Sequence, residues 1–442
     1  MKMALQAKRP GGLSMRKWVP LLLLAAIALS ACSVDLSGLF KTPAPLDIPR
    51  MAEEVAVVRQ LDLLRPIPFE TLDSQQLEAK LAEINEQEAD PAETLAAEKV
   101  LRFLGLLPAG ENLQALMDRL YGEQILGFYD PQEGRLYLVD RSGGNVGAAG
   151  DLENWAVLDQ ERIVVAHELV HGLTDQHFNL LRFDEPKWSA DDDTATAVDC
   201  LIEGDASLGE TLYLTQEEQG WGSLLSLLAA GISQDSSQLD AAPPYIRDSL
   251  LFPYQAGLLF VQTLYQEGGW TAVDKAYKEP PTSTEQILHP LKYIQGNDPP
   301  LPVSLTSSPP ALADWRLVYE NALGEFDFAA WFRTLLPSEE ADLAAAGWGG
   351  CRYQLWEEGS RQSFLLSSRW DSAKDAQEAR LALERWLADR FPGVASQDGS
   401  ATIQQGAGVT AILDRQGEEL KLAIAPTPAL ALELFQQLNA GT

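Results

Sequence analysis

The chain has 442 residues, 46% hydrophobic and 22% charged, with 33 basic against 64 acidic side chains. That length exceeds one typical domain, and that composition excludes a disordered chain. A net charge of −31 with no basic patch excludes nucleic acid as a partner, and reads as a soluble, self-repelling surface.

Lys2, Lys8, Arg9, Arg16 and Lys17 precede an apolar run, Trp18 to Ala31, that is short for a bilayer span. Basic and then apolar is the order of a secretory signal peptide. The run ends in Leu29-Ser30-Ala31-Cys32, which resembles the lipobox of bacterial lipoproteins. The resemblance implies cleavage after residue 31 and acylation of Cys32. Two or three acyl chains then anchor the protein in the lipid bilayer, where one would not. The expected location is the cell membrane, lipid-anchored, with the body facing the extracellular or periplasmic side. Residues 32–50 carry Pro43, Pro45 and Pro49 and read as a tether. Cys200 and Cys351 remain, too few for a disulfide framework, though an oxidising compartment would allow them to pair.

From Met51 to Leu120 apolar residues recur at helical spacing (Val55, Val58 and Leu61, later Leu101, Leu104 and Leu107), punctuated by Pro66, Pro68 and Pro108. This predicts a set of short helices. Two β-rich runs between Gln124 and Val139 flank Asp130-Pro-Gln-Glu-Gly134, a turn sequence, and predict a hairpin. A glycine-rich loop, Gly143 to Gly150, leads to a helix over about Gln160 to Phe178. A second helix, capped by Asp193 or Thr194, runs to about Leu214. Further helices are expected after Pro253 and from Trp270 to Tyr277. A helical stretch, Trp315 to Leu336, precedes alternating strands (Tyr353 to Trp356, Phe364 to Trp370, Val409 to Leu413, Leu420 to Ile424) and helices (Ala373 to Phe391, Pro428 to Leu438). The fold class is therefore α+β. Residues 51–300 form a mainly helical region, 301–340 a helical connector and 341–442 a small α+β domain.

The chemistry lies in Val164-Val-Ala-His-Glu-Leu-Val-His171-Gly-Leu-Thr-Asp-Gln-His177. His167 and His171, four apart on a helix, leave the same face within reach of one metal ion. Glu168 stands beside them, placed to take a proton from an activated water. Zinc suits imidazole and carboxylate donors. Histidine is scarce, four in the whole chain, yet three fall within this stretch.

Two residues compete as third ligand. His177 has the spacing of the metzincin pattern HExxHxxGxxH, but Thr174 occupies the position of its turning glycine, and no methionine follows Met117. On a continuing helix His177 points about 240° away from His171. The other candidate is Glu203 on the second helix, in Ile202-Glu-Gly-Asp-Ala206, with Glu210 and Asp199 as weaker alternatives. HExxH on one helix and glutamate on the next resembles the gluzincins, the thermolysin-like zinc peptidases. The resemblance covers about Tyr121 to Tyr293 and stops short of the C-terminal domain. It departs from the pattern in a wider gap between the two helices and in Ser207, where many thermolysin-like enzymes have aspartate.

The resemblance implies zinc held by His167, His171 and Glu203, with Glu168 as general base. It also implies an edge strand that receives substrate backbone, and His289 or Tyr293 as oxyanion stabiliser. Asp175 and Asp199 are the expected partners of the liganding imidazoles. The expected function is peptide-bond hydrolysis on a peptide or protein substrate at the cell surface. The alternative is an inactive peptidase fold serving as a binding or envelope scaffold.

Overall fold

The computed structural model describes residues 46–88, 90–124, 126–139, 152–189, 191–216, 237–296 and 298–440. The signal segment, Cys32 and the loop from Gly143 to Gly150 lie outside them. The fold is α+β, a helical region followed by an antiparallel sheet domain.

Helix α1, Ile48–Arg59, starts inside the segment read as tether. Asp47 accepts from the Arg50 amide at 3.2 Å and Pro49 occupies the first turn, where its missing N–H removes no bond. Its buried face carries Met51, Ala52, Val55 and Val58. The predicted helices α2 (Ser74–Glu88), α3 (Pro91–Leu104) and α4 (Leu113–Gln124) follow. Between α1 and α2 lies a strand absent from the sequence reading, β1 (Phe69–Leu72), which pairs in parallel with β3. The predicted hairpin is β2 (Gly127–Asp130) and β3 (Arg135–Val139), and the sheet order β1-β3-β2 leaves β2 at an edge.

Three long helices frame the site. Helix α5 is Leu152–Phe178, and the four-residue α6, Pro186–Ser189, links it to α7, Asp192–Gln216. The cap of α7 is Asp191, which accepts from the Thr194 amide at 2.9 Å, slightly upstream of the residues expected. After the short α8 (Ser237–Ala241), α9 runs Pro244–Lys278 with Pro253 inside it and a kink at Gly268 and Gly269. Helices α7 and α9 cross in backbone contact. A methyl group on Gly204 would strike the Gly257 carbonyl, and one on Gly257 the Cys200 carbonyl. Helices α10 (Thr284–Leu288) and α11 (Pro290–Gly296) close this region.

The stretch Trp315 to Leu336 is not wholly helical. Arg316–Asn321 is strand β4, whose Leu317, Val318 and Tyr319 suit a pleated surface, and only Glu325–Phe332 forms a helix, α12. The sheet domain thus begins about 25 residues before the expected boundary at 341. After α13 (Ser338–Ala345) come β5 (Trp348–Glu358), β6 (Arg361–Trp370), α14 (Ala373–Arg390), β7 (Gly393–Asp398), β8 (Ala401–Gly406), β9 (Val409–Gln416), β10 (Glu419–Ala425) and α15 (Pro428–Ala440). The order β4-β5-β6-β10-β9-β8-β7 is antiparallel throughout. Alternation along β6 and β10 sends Phe364, Leu366 and Leu422 to the face covered by α14, and Leu365 and Ala423 to that covered by α15. The first face merges with the core of the helical region: Trp386 Nε1 donates to the Leu104 carbonyl at 3.1 Å, and Lys99 pairs with Glu357 at 2.6 Å.

Candidate metal centre

Helix α5 continues unbroken past Gly172. That glycine serves packing, because a Cβ there would lie 2.6 Å from Ile67 Cδ1 and 3.3 Å from Tyr129 Cε2. With no turn at this point, His177 leaves another face of the helix, where its exposed Nε2 donates to the Asp62 carbonyl at 2.7 Å. His167 and His171 face α7, with ring centroids 4.8 Å apart.

Glu203 meets them from α7. Its Oε2 lies 3.1 Å from His167 Nε2 and 3.5 Å from His171 Nε2. One donor atom from each of the three residues lies within 4.8 Å of the others, and all three side chains are buried. This separation suits closure around one ion with metal–donor distances of about 2.0–2.2 Å. Two buried atoms support the fit, for neither Glu168 Oε1 nor His171 Nδ1 has a hydrogen-bond partner.

Burial works against charge on His167, but hydrogen bonds to Glu203 and Glu210 outweigh it and push the pKa up to about 10. Burial likewise opposes charge on Glu203, yet the two histidines bring it down to about 2. His171 is held below the usual range by burial. These shifts favour an internal ion pair between His167 and Glu203, whose neutralising charge a cation bound there would take over.

The general-base candidate is anchored at one oxygen only. Glu168 Oε2 accepts from the Tyr129 amide of β2 at 2.8 Å, and burial raises its pKa well above the carboxylate range. The same tyrosine donates its hydroxyl to Asp175 Oδ2 at 2.9 Å, and Asp175 Oδ1 accepts from the Leu180 amide. Asp175 thus fixes the hairpin and the end of α5 rather than a liganding imidazole. That place belongs to Glu210, whose Oε2 is 3.0 Å from His167 Nδ1. The sequence carried the signal: seven residues after Glu203 is two helical turns, on the same face. Asp199 is half-buried on α7.

His289 and Tyr293 are engaged elsewhere. His289 Nε2 is 2.8 Å from Glu325 Oε1, and the Tyr293 hydroxyl donates to the Glu279 carbonyl at 2.6 Å. The aromatic residue beside the cluster is Tyr254 of α9, its ring centroid 6.2 Å from that of His167. Only the α7–α9 crossing brings it there, so no local pattern marks it. Cys200 and Cys351 are both free and buried. Among the described residues, no helix is long and apolar enough to cross a membrane.

Residues 316–434 match a family described as a domain of unknown function, DUF8575. The match takes in the sheet domain from β4 onward and none of the residues of the cluster. No curated protein and no solved structure matches the chain.

Proposed function

We propose that the chain is a zinc-dependent peptidase of gluzincin type, tethered to the membrane through acylated Cys32. The observation that carries the reading is Glu168: a buried carboxylate beside two imidazoles and a second carboxylate, Glu203, with one oxygen fixed and the other free. His167, His171 and Glu203 would hold the ion. Bound there, zinc supplies Lewis acidity, activating water for attack and polarising a carbonyl. Glu168 Oε1 accepts the proton of the attacking water and returns it to the leaving amine. The Tyr129 amide keeps Oε2 in place, so a single oxygen handles the proton. Glu210 orients His167. Strand β2 stands at the sheet edge beside Glu168, where an extended substrate can align its backbone.

The test is casein digestion by the fragment from Ser33 onward, with metal analysis. The expected result is about one zinc per chain and hydrolysis abolished by a chelator. Glu168→Gln should retain the zinc and lose about 10²–10⁴-fold in rate. Digestion that survives chelation, or a Glu168→Gln variant as fast as wild type, would sink the reading. Anchoring is tested on the full chain: wild type should incorporate labelled palmitate and Cys32→Ser should not. Equal labelling of the two would remove the lipid anchor.

A further inference from the structure

Arg59, the last residue of α1, is fully buried. Its Nε donates to Asp205 Oδ1 at 2.7 Å, and its Nη2 donates to Asp205 Oδ2 at 3.1 Å and to Asp274 Oδ1 at 2.8 Å. The guanidinium carbon lies 4.3 Å from the Trp270 ring centroid, and Trp270 Nε1 donates to the Val58 carbonyl at 2.7 Å. The end of α1 is therefore fixed at once to α7, through Asp205, and to α9, through Asp274 and Trp270. Asp205 stands two residues after Glu203 and is itself fully buried.

A buried ion pair is a poor device for stability alone, since a well-packed apolar pair of similar volume generally holds two helices as well. What the planar guanidinium adds is direction. A fork closed on both oxygens of one carboxylate fixes the rotation and axial position of the helix that carries it. That helix brings Glu203 to His167 and His171. The charge of Arg59 has the wrong sign for a neighbour of a cation site, so attraction of metal does not explain it.

We propose that Arg59 is a positioning residue for the metal centre, setting α7 so that Glu203 meets the two histidines, and that α1 is thereby part of the site. The inference rests on the reading of the cluster as a zinc site. Charge and position predict opposite signs. If Arg59 acted by charge alone, its removal would tighten zinc binding; if it positions α7, removal loosens it.

The experiment measures the zinc dissociation constant by chelator competition, below each variant's unfolding temperature, for Arg59→Met, Arg59→Lys and Asp205→Asn. Leu366→Ala in the sheet domain serves as a control for general destabilisation. Arg59→Met should weaken zinc about 10-fold or more, the scale on which partners of metal ligands act. Arg59→Lys, which keeps the charge and loses the fork, should weaken it by a smaller factor. Asp205→Asn should follow Arg59→Lys, and Leu366→Ala should lower the melting temperature with zinc affinity unchanged. Wild-type or tighter affinity in Arg59→Met would overturn the proposal. Should that variant fail to fold, wild-type affinity in both Arg59→Lys and Asp205→Asn would overturn it. A wild-type chain that takes up no zinc would instead remove the zinc reading, and this inference with it.

Discussion

The helical region and the sheet domain both bury polar side chains, but of different kinds. In the sheet domain many are neutral, and several are bonded to another side chain or carbonyl of the same domain. Trp370 Nε1 donates to Ser368 Oγ at 3.0 Å, Trp356 Nε1 to Gln354 Oε1 at 3.0 Å and Gln404 Nε2 to the Phe391 carbonyl at 2.7 Å. Such bonds contribute about 0.5–1.5 kcal/mol each and specify a packing. In the helical region His167, Glu168, His171, Glu203 and Glu210 are ionisable and buried together, and Glu168 Oε1 and His171 Nδ1 have no partner. Burying like charges side by side destabilises a fold, so their presence makes this cluster the candidate site. The two regions differ in what they do with buried polarity, and the proposed function rests on that contrast.

The sharpest way to break the contrast is to remove the third ligand. Glu203→Ala should abolish stoichiometric zinc binding, since two imidazoles alone hold the ion poorly. His177→Ala should leave zinc content unchanged, because its imidazole is committed to the Asp62 carbonyl on another face of α5. Metal analysis of the two purified variants decides it. Zinc kept by Glu203→Ala and lost from His177→Ala would reverse the assignment.

A smaller effect separates Glu210 from Asp175. Glu210→Ala leaves His167 Nδ1 without its partner and should weaken zinc binding about 10–100-fold. Asp175→Asn disturbs Tyr129 and the turn at Leu180, so it should lower the melting temperature and leave zinc affinity at the wild-type value. If chelator competition shows the larger loss in Asp175→Asn, the partner of His167 has been misassigned.

What the sequence disclosed follows from how local each signal is. His167, Glu168 and His171 were legible because spacing within one helix fixes their common face. Glu203 was legible through the resemblance of Ile202-Glu-Gly-Asp-Ala206 to the gluzincin pattern, although α7 carries five other acids. Which other residues of α7 face α5 depends on the Gly204–Gly257 crossing, so Glu210 stood only as an alternative ligand, and Tyr254 was invisible. Arg59 ends an amphipathic helix, where a basic residue ordinarily complements the helix dipole in solvent, and only tertiary contact reveals its burial. Strand β4 was hidden in an apolar stretch whose second half is helical. Strand β7, Gly-Val-Ala-Ser-Gln-Asp, is exposed along its whole length and has no apolar alternation to betray it.

The smallest predicted effect tests the seam between the two regions. Glu285 of α10 accepts from Lys292 Nζ at 2.6 Å, and Lys292 also reaches Asp371 of the sheet domain at 2.5 Å and Asp298 at 3.5 Å. Nearby, His289 pairs with Glu325 of α12. Burial raises the Glu285 pKa to about 7 in spite of Lys292. The folded chain therefore binds a proton there where the unfolded chain, with a value near 4.5, has released it. The stability this contributes is present at low pH and is lost as pH climbs to about 7. His289, raised chiefly by its hydrogen bond to Glu325, acts in the same direction, losing its contribution as pH rises through its folded value. Wild-type melting temperature should thus fall by a few degrees between about pH 5 and pH 7 relative to Glu285→Gln, which cannot ionise. Zinc affinity should respond equally to pH in the two proteins, because the seam lies outside the metal cluster. Parallel melting profiles would show that Glu285 is ionised across the window and that Lys292 outweighs its burial.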